Sequence, residues 1–188
     1  MSKRITKADA PIYQLKITLH EIRPPIWRRV LVPGGFTLYQ LHRVIQAAFG
    51  WLDYHLHQFL IDGKYYSIPS PEDWEPVVDE RDHTLAAMAP ATKRRFQYEY
   101  DFGDSWKHDI LVEKILLPEQ AAKYPVCIAG KRARPPEDVG GTWGYARFLE
   151  AIADPEHEEH ESYLVWVGRF DPEEFNLEET NRSLKKVK

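Results

Sequence analysis

Phe96-Gln97-Tyr98-Glu99-Tyr100-Asp101-Phe102 and Trp106-Lys107-His108-Asp109-Ile110-Leu111-Val112 are two runs of large side chains alternating with mostly polar ones, separated by Gly103-Asp104-Ser105. Successive side chains of a strand point to opposite faces, so alternation of this kind predicts strands with one buried face. Two such runs around a short glycine-containing turn predict an antiparallel hairpin. Its register follows from area. A three-residue loop at Gly103 to Ser105 pairs Phe102 with Trp106, Tyr100 with His108 and Tyr98 with Ile110. That gathers the large residues inward and leaves Glu99, Asp101, Lys107 and Asp109 outward. A two-residue loop mixes the two sets. Each full burial of a large side chain contributes roughly 1.5–3 kcal/mol, so the first register is expected.

Toward the N-terminus, Tyr13, Leu15, Ile17 and Leu19 alternate with Gln14, Lys16, Thr18 and His20, a half-buried strand. Arg23-Pro24-Pro25 breaks it, and a second strand from Ile26 to Val32 pairs back as a hairpin. Thr37 with Gln40 three residues on is a capping box. It opens a helix whose apolar stripe is Leu38, Leu41, Ile45, Ala48 and Phe49, and Gly50 stops it. A strand from His55 to Ile61, an Asp62-Gly63 turn and a return strand from Lys64 to Ile68 follow. A Pro-rich acidic loop from Pro69 to Asp82 and a short helix from Thr84 to Met88 lead into the central hairpin.

Beyond that hairpin the pattern is mainly helical. Helices are predicted over Pro118–Tyr124, Trp143–Ala153, Glu156–Val167 and Pro172–Val187, with Pro125–Gly141 irregular. Asp171-Pro172 supplies an N-cap and a first-turn proline. The fold class is α+β: a mixed, mostly antiparallel sheet packed by helices. The order of the first two-thirds, hairpin then helix then strands, is β-grasp-like, and the last third is helical. One domain is expected, with an ordered core of about residues 11–184.

Of the 188 residues, 43% are hydrophobic and 13% aromatic, which predicts a packed core. Trp27, Trp51, Trp74, Trp106, Trp143 and Trp166 each bring one donor that needs a partner, so that core has a polar margin. Cys127 is the sole cysteine, which excludes an intrachain disulfide and fits a reducing compartment. Met1 to Ala10 is charged and polar, unlike a signal peptide, and no apolar run approaches the ~18 residues of a membrane span. A cytoplasmic protein with no membrane partner is expected. The net charge of −4 argues against a nucleic-acid footprint, so tight sequence-specific DNA binding is not expected. Arg28-Arg29, Lys93-Arg94-Arg95, Lys131-Arg132 with Arg134, and Lys185-Lys186 read as solvated surface. The acidic stretch Asp154 to Glu161 reads as an exposed helix face.

No Gly-rich phosphate loop, nucleophile elbow or paired-cysteine zinc motif is present. His55 and His57 form a His-x-His pair; on one strand both imidazoles face the same way and suit a shared metal. The alternative is that one caps the strand while the other packs beside Trp51 or Phe59. Asp104 and His108 are candidates for an acid/base pair or for ligands. Against this, Gly103 and Asp104 are ordinary turn formers, and the expected register buries His108 on the aromatic face. It also sets Asp104 and His108 roughly 10 Å apart. Arg134-Pro135-Pro136-Glu137-Asp138-Val139-Gly140-Gly141 is a stiff loop presenting two carboxylates, suited either to a cation or amine or to holding nearby arginines and capping the next helix. His157 and His160 lack His-Glu-x-x-His spacing and read as part of a solvated helix, and Cys127 has no nucleophile motif around it.

These segments together resemble the plasmid pRiA4b ORF-3-like family. The resemblance is carried by Pro25-Ile26-Trp27-Arg28-Arg29, Leu41-His42 with Ile45-Gln46, Phe49-Gly50-Trp51, and His55-Leu56-His57 with Phe59. It is carried further by Tyr100-Asp101-Phe102-Gly103-Asp104 with Trp106 and His108, Pro135-Pro136-Glu137-Asp138 with Gly140-Gly141, and Phe170-Asp171-Pro172 with Phe175. It spans Tyr13 to Leu184. It implies an α+β fold and an association with plasmids and insertion elements, and it brings no catalytic residues.

The leading expectation is therefore a non-enzymatic accessory or binding protein of no assigned activity, with Trp106, Asp101, Glu137 and Asp138 as binding residues. A rival is a metal-dependent hydrolase with a divalent metal on His55, His57, Asp104 and His108, completed by Glu137 and Asp138. Convergence of three or more of these side chains favours it. A second rival is a nucleic-acid accessory protein, which needs a contiguous positive surface from Arg23, Arg28, Arg29 and Lys93 to Arg95.

Overall fold

The structure, a computed structural model, describes residues 10–71 and 76–188; Trp74, most of the Met1–Ala10 segment and part of the Pro69–Asp82 loop lie outside them. Its strands are β1 (Ile12–Leu19), β2 (Trp27–Pro33), β3 (His57–Ile61), β4 (Lys64–Ser67), β5 (Val78–Asp79), β6 (Arg95–Tyr100), β7 (Trp106–Leu116) and β8 (Val126–Lys131). Its helices are α1 (Leu38–Phe49), α2 (Leu85–Met88), α3 (Gly141–Ala153), α4 (His160–Val167) and α5 (Leu177–Leu184), with a 3-10 turn at Glu80–Asp82. The eight strands form one open sheet in the order β5-β4-β3-β6-β7-β1-β2-β8. Every neighbouring pair is antiparallel except β4 and β5. The chain is α+β. The likeness to a β-grasp is one of element order, because β1 sits mid-sheet beside an antiparallel β7.

The opening elements follow their sequence signals. The β1–β2 hairpin forms, and Asp62 and Gly63 take positive φ of 52° and 73° at the β3–β4 turn. Both bonds of the capping box are made, Gln40 N–H to Thr37 Oγ1 at 3.2 Å and Thr37 N–H to Gln40 Oε1 at 3.0 Å. Gly50 stops α1 in the left-handed region at φ 82°. Leu38, Leu41, Val44, Ile45 and Ala48 are buried in one cluster with Leu15, Ile17, Val30, Phe59, Tyr98 and Ile110 from the sheet. That face of the sheet is the core.

The central hairpin has its predicted faces but not its predicted register. Tyr100 pairs with Trp106, Tyr98 with His108 and Phe96 with Ile110. The connection is therefore five residues, Asp101 to Ser105, not three. A shift of two residues preserves strand parity, so Tyr98, Tyr100, Trp106, His108 and Ile110 still point inward. Only Phe102 loses its expected place and lies exposed. Asp101 leaves the strand instead of occupying its polar face.

The last third differs more. Pro118–Tyr124 is not helical, and the segment expected to be irregular contains β8, which pairs with β2. α4 starts at His160, because Asp154 Oδ1 and His157 Nδ1 accept local backbone N–H bonds from Glu156 and Glu159 and hold the acidic stretch in turns. Asp171 does not cap a helix. Its side chain closes a local turn on Glu173 N–H (2.9 Å), and Pro172 O accepts from Ala133 N–H (3.1 Å). The helix waits for Asn176, whose Oδ1 accepts from Glu179 N–H at 3.0 Å. α5 packs against β8, and the Asn181 carboxamide bonds both Cys127 N–H (2.8 Å) and Cys127 O (2.9 Å). No helix among the described residues is long and apolar enough to cross a membrane.

Candidate metal centre

One carboxylate builds the turn between β6 and β7. Asp101 leaves the strand at φ 59°, a conformation that short polar side chains tolerate better than others. Its Oδ1 accepts from the N–H groups of Gly103 (2.9 Å) and Asp104 (3.3 Å). Its backbone accepts from Ser105 N–H (2.6 Å) and donates to Leu56 O (2.9 Å). Self-capping of this kind explains why the loop is longer than area counting predicted.

Asp101 Oδ2 is left to face His55 Nε2 at 3.6 Å, and Asp138 Oδ1 lies 3.2 Å from the same nitrogen. Neither approach has hydrogen-bond geometry, and His55 Nε2 is buried without a hydrogen-bond partner among the described residues. Ligand atoms bound at ~2.1 Å to one ion stand about 3.0–3.4 Å from each other. The observed separations are close to that spacing, and one ligand atom from each of the three residues falls within 4.8 Å of the others.

Three segments distant in sequence meet here. The loop from Trp51 to Leu56 is strung on side-chain acceptors: Leu52 N–H donates to Glu137 Oε1 (2.7 Å), Asp53 N–H to Gln46 Oε1 (3.0 Å) and Tyr54 N–H to the Tyr100 hydroxyl (3.0 Å). The Glu137-Asp138 loop is docked on the hairpin tip by Gly140 N–H, which donates to Asp104 Oδ2 at 3.1 Å. Gly141 has φ 67°, and a Cβ there would stand 2.7 Å from Asp104 O, so a larger residue would push this loop off the tip. Asp138 itself has φ 57°. Asp138 and Glu137 also line a cleft of about 830 Å³ shared with Leu52, Tyr54, Arg134 and Arg169. Arg169 is exposed and pairs with no carboxylate among the described residues.

The other predicted site residues go elsewhere. Of the six residues set out for the hydrolase, only His55 and Asp138 come together, joined by Asp101. His55 and His57 do not share an ion site, because β3 begins at His57 and His55 belongs to the preceding loop, where strand alternation does not hold. His57 instead stacks on His42. Asp104 caps Gly140, as above. His108 is fully buried: its Nδ1–H donates to Trp106 O (2.9 Å) and its Nε2 accepts from Trp51 Nε1–H (3.2 Å). That pattern defines one neutral tautomer, and burial pushes its pKa down to about 4. Trp106 is core, 1% exposed, so it presents no recognition surface. Glu137 holds the Leu52 amide with one oxygen, while Oε2 is buried with no partner among the described residues. The sequence reading missed His42, Asp53 and Glu80 as chemistry-bearing residues. They lie on a helix, a loop and a 3-10 turn, and no local spacing links them.

Of the basic residues named for nucleic acid, three are engaged within the chain, while Arg23, Lys93 and Arg95 are exposed. Arg28 is buried, its guanidinium between the Phe49 and Phe175 rings and bonded to the carbonyls of Ala48, Trp27 and Lys131. Arg29 makes a two-pronged pair with Glu113 at 2.7 and 2.9 Å, and Arg94 pairs with Asp62.

Comparison with known proteins agrees with this chain throughout its described core. A crystal structure of a protein of unknown function, MM3350 from Methanosarcina mazei Go1, superposes with a TM-score of 0.84 at 39% identity, covering 93% of this chain and 98% of that one. The uncharacterised protein y4hQ of Sinorhizobium fredii is 38% identical over 179 residues, 93% of this chain and 91% of its own. Neither name carries an activity. The model of the plasmid pRiA4b ORF-3-like family matches residues 11–179, and the chain belongs to that family.

Proposed function

We propose that the protein is a cation-dependent binding module, with a divalent ion held by His55, Asp101 and Asp138 and an anionic ligand seated in the adjoining cleft. The observation that carries this reading is the shared position of Asp138, which belongs both to the ligand cluster and to the cleft wall. Two carboxylates and one imidazole suit a hard or borderline ion such as Mn²⁺. Three protein ligands leave positions open for water or for an oxygen of the bound anion. Arg134 and Arg169 bring positive charge to a cleft that Asp171, Glu174 and Glu179 also line, so an anion there is held chiefly through the ion. Three of the segments that carry the family resemblance, His55-Leu56-His57, Tyr100 to Asp104 and Pro135 to Asp138, each contribute one residue to this cluster.

Titration of the chelator-stripped protein with Mn²⁺, followed by calorimetry, tests the reading. Asp138→Asn keeps the side-chain volume at a site that is 67% exposed, so the fold is expected to survive. Mn²⁺ affinity is expected to fall at least about 10-fold. Equal Mn²⁺ affinity in Asp138→Asn and the parent protein would remove this site.

Duplex DNA is a poor fit to such a module. With Arg28 and Arg29 engaged, gel-shift titration at physiological salt is expected to show binding no tighter than about 10⁻⁶ M. A salt-tolerant nanomolar complex would instead identify a nucleic-acid protein.

A further inference from the structure

A guanidinium has five N–H donors, and Arg28 spends three of them on backbone carbonyls. Its Nε–H donates to Ala48 O at 3.0 Å, and its Nη1 donates to Trp27 O (2.9 Å) and Lys131 O (3.0 Å). The bond to Ala48 O caps the C-terminal turn of α1, and the other two hold the side chain against β2 and β8. That structural duty leaves Nη2 out. Its two N–H groups have no acceptor among the described residues.

The charge is matched no better than the donors. Arg28 is 3% exposed. The arginines in ion pairs among the described residues are Arg29, Arg81, Arg94, Arg132 and Arg147, and Arg28 is not one of them. Burial pushes its pKa down to about 10, so the group keeps its charge at neutral pH. The Phe49 and Phe175 rings lie over the guanidinium, with centroids 5.0 and 4.5 Å from Cζ. Such rings stabilise the cation through its faces and accept none of its in-plane N–H bonds. A buried charge with unmet donors is costly. Gly130, opposite Arg28 on β8, makes room for the sandwich. A Cβ there would stand 2.5 Å from Phe175 Cζ and 2.9 Å from Arg28 Cδ.

Arg28, Phe49 and Phe175 all line the 830 Å³ cleft, beside Asn176, Thr180 and Ser183. With the faces of the guanidinium covered and Nε and Nη1 held by carbonyls, the edge left to the cleft is Nη2. We propose that this edge is an oxyanion site, where a carboxylate or phosphate group of the cleft's ligand accepts the Nη2 N–H bonds in the guanidinium plane. Bonds of that kind, with charge on both partners, are about twice as strong as neutral ones. Water at the same edge would meet the donors and leave the charge; an oxyanion meets both. Asp171, Glu174 and Glu179 line the cleft too, but none of them pairs with Arg28. The contact needs no metal, so it stands apart from the ion at Asp138. It gives the ligand a second point of attachment.

The test uses the whole chain after chelator treatment, titrated with sodium phosphate and, separately, with sodium succinate. Sodium chloride at matched ionic strength is the blank. The readout is the guanidinium ¹⁵N–¹H resonances of Arg28, assigned through their own side chain. A saturable shift of the Nη2 pair is expected with at least one of the two salts, and the tighter of them identifies phosphate or carboxylate as the head group. Arg28→Lys keeps the charge and loses the planar fork, and is expected to weaken that binding at least about 10-fold. Should this buried variant not fold, the resonance shift in the parent chain still decides. Asp138→Asn is expected to leave the Arg28 shift unchanged, so failure of the ion site and failure of this one read separately. Arg28 resonances unmoved by both salts would overturn the site and leave a guanidinium that only caps α1 and joins two strands. A shift equal to that in sodium chloride would do so as well.

Discussion

Replacing Trp106 with alanine is expected to cost about 3–5 kcal/mol in denaturant unfolding, the range for emptying a fully buried aromatic site. Trp106 is 1% exposed, closes the β6–β7 ladder opposite Tyr100 and lies 5.8 Å ring to ring from Trp51. Its indole Nε1–H has no acceptor among the described residues. An unsatisfied buried donor costs about 1–3 kcal/mol, so the native side chain carries a penalty along with its area. Trp106→Phe keeps an aromatic ring and removes that donor, and its loss is expected to stay below about 1.5 kcal/mol. The contrast between the two variants measures the packing and the orphaned donor separately. An alanine variant within about 0.5 kcal/mol of the parent, the range typical of surface changes, would show that the ring is not core.

The second large effect is on acid stability. His108 is neutral in the folded chain, with its pKa lowered from 6.5 to about 4, chiefly by burial. The unfolded chain takes up the proton near pH 6.5, the folded chain only near pH 4, so acid favours unfolding between those values. Stability from this group is fully present above about pH 6.5 and is lost progressively down to about pH 4, by roughly 3 kcal/mol in total. Below that, both states hold the proton and the contribution is flat. Urea melts from pH 7 to 4 are expected to show this slope in the parent and to lose about one proton's worth of it in His108→Gln. His42 is shifted in the same direction by burial and contributes to both proteins, so the difference between them isolates His108. Equal slopes would mean that His108 is not the buried neutral group.

Both effects concern residues whose inward direction was legible in the sequence, because parity is robust. Any even shift of the hairpin leaves Trp106 and His108 on the aromatic face. What parity does not encode is loop length, and that was set by Asp101, whose carboxylate turns back onto its own loop. The same residue illustrates why the candidate centre was only half visible. His55, Asp101 and Asp138 were each notable as polar residues beside aromatics or prolines, but their meeting depends on two loops docking on a third. The His42–His57 stack was harder still. His42 sits among Leu41, Val44 and Ile45 on a helix that reads as ordinary core, and Glu80 lies in a loop with no periodic pattern. β8 escaped notice because a short run such as Val126-Cys127-Ile128 has no alternation to separate it from a loop.

The bond between Asn181 and Cys127 has a consequence for how molecules of this protein meet one another. β8 is an outermost strand, and such a strand offers unpaired N–H and C=O groups on which another chain can build. A carboxamide carries the same donor and acceptor as a peptide unit, so Asn181 occupies that template as a one-residue imitation of a neighbouring strand. At the opposite margin, β5 is only two residues long and offers little to copy. Self-association by strand addition is thus blocked at one border by brevity and at the other by α5. A chain that lost α5 would become adhesive along β8 before its sheet came apart.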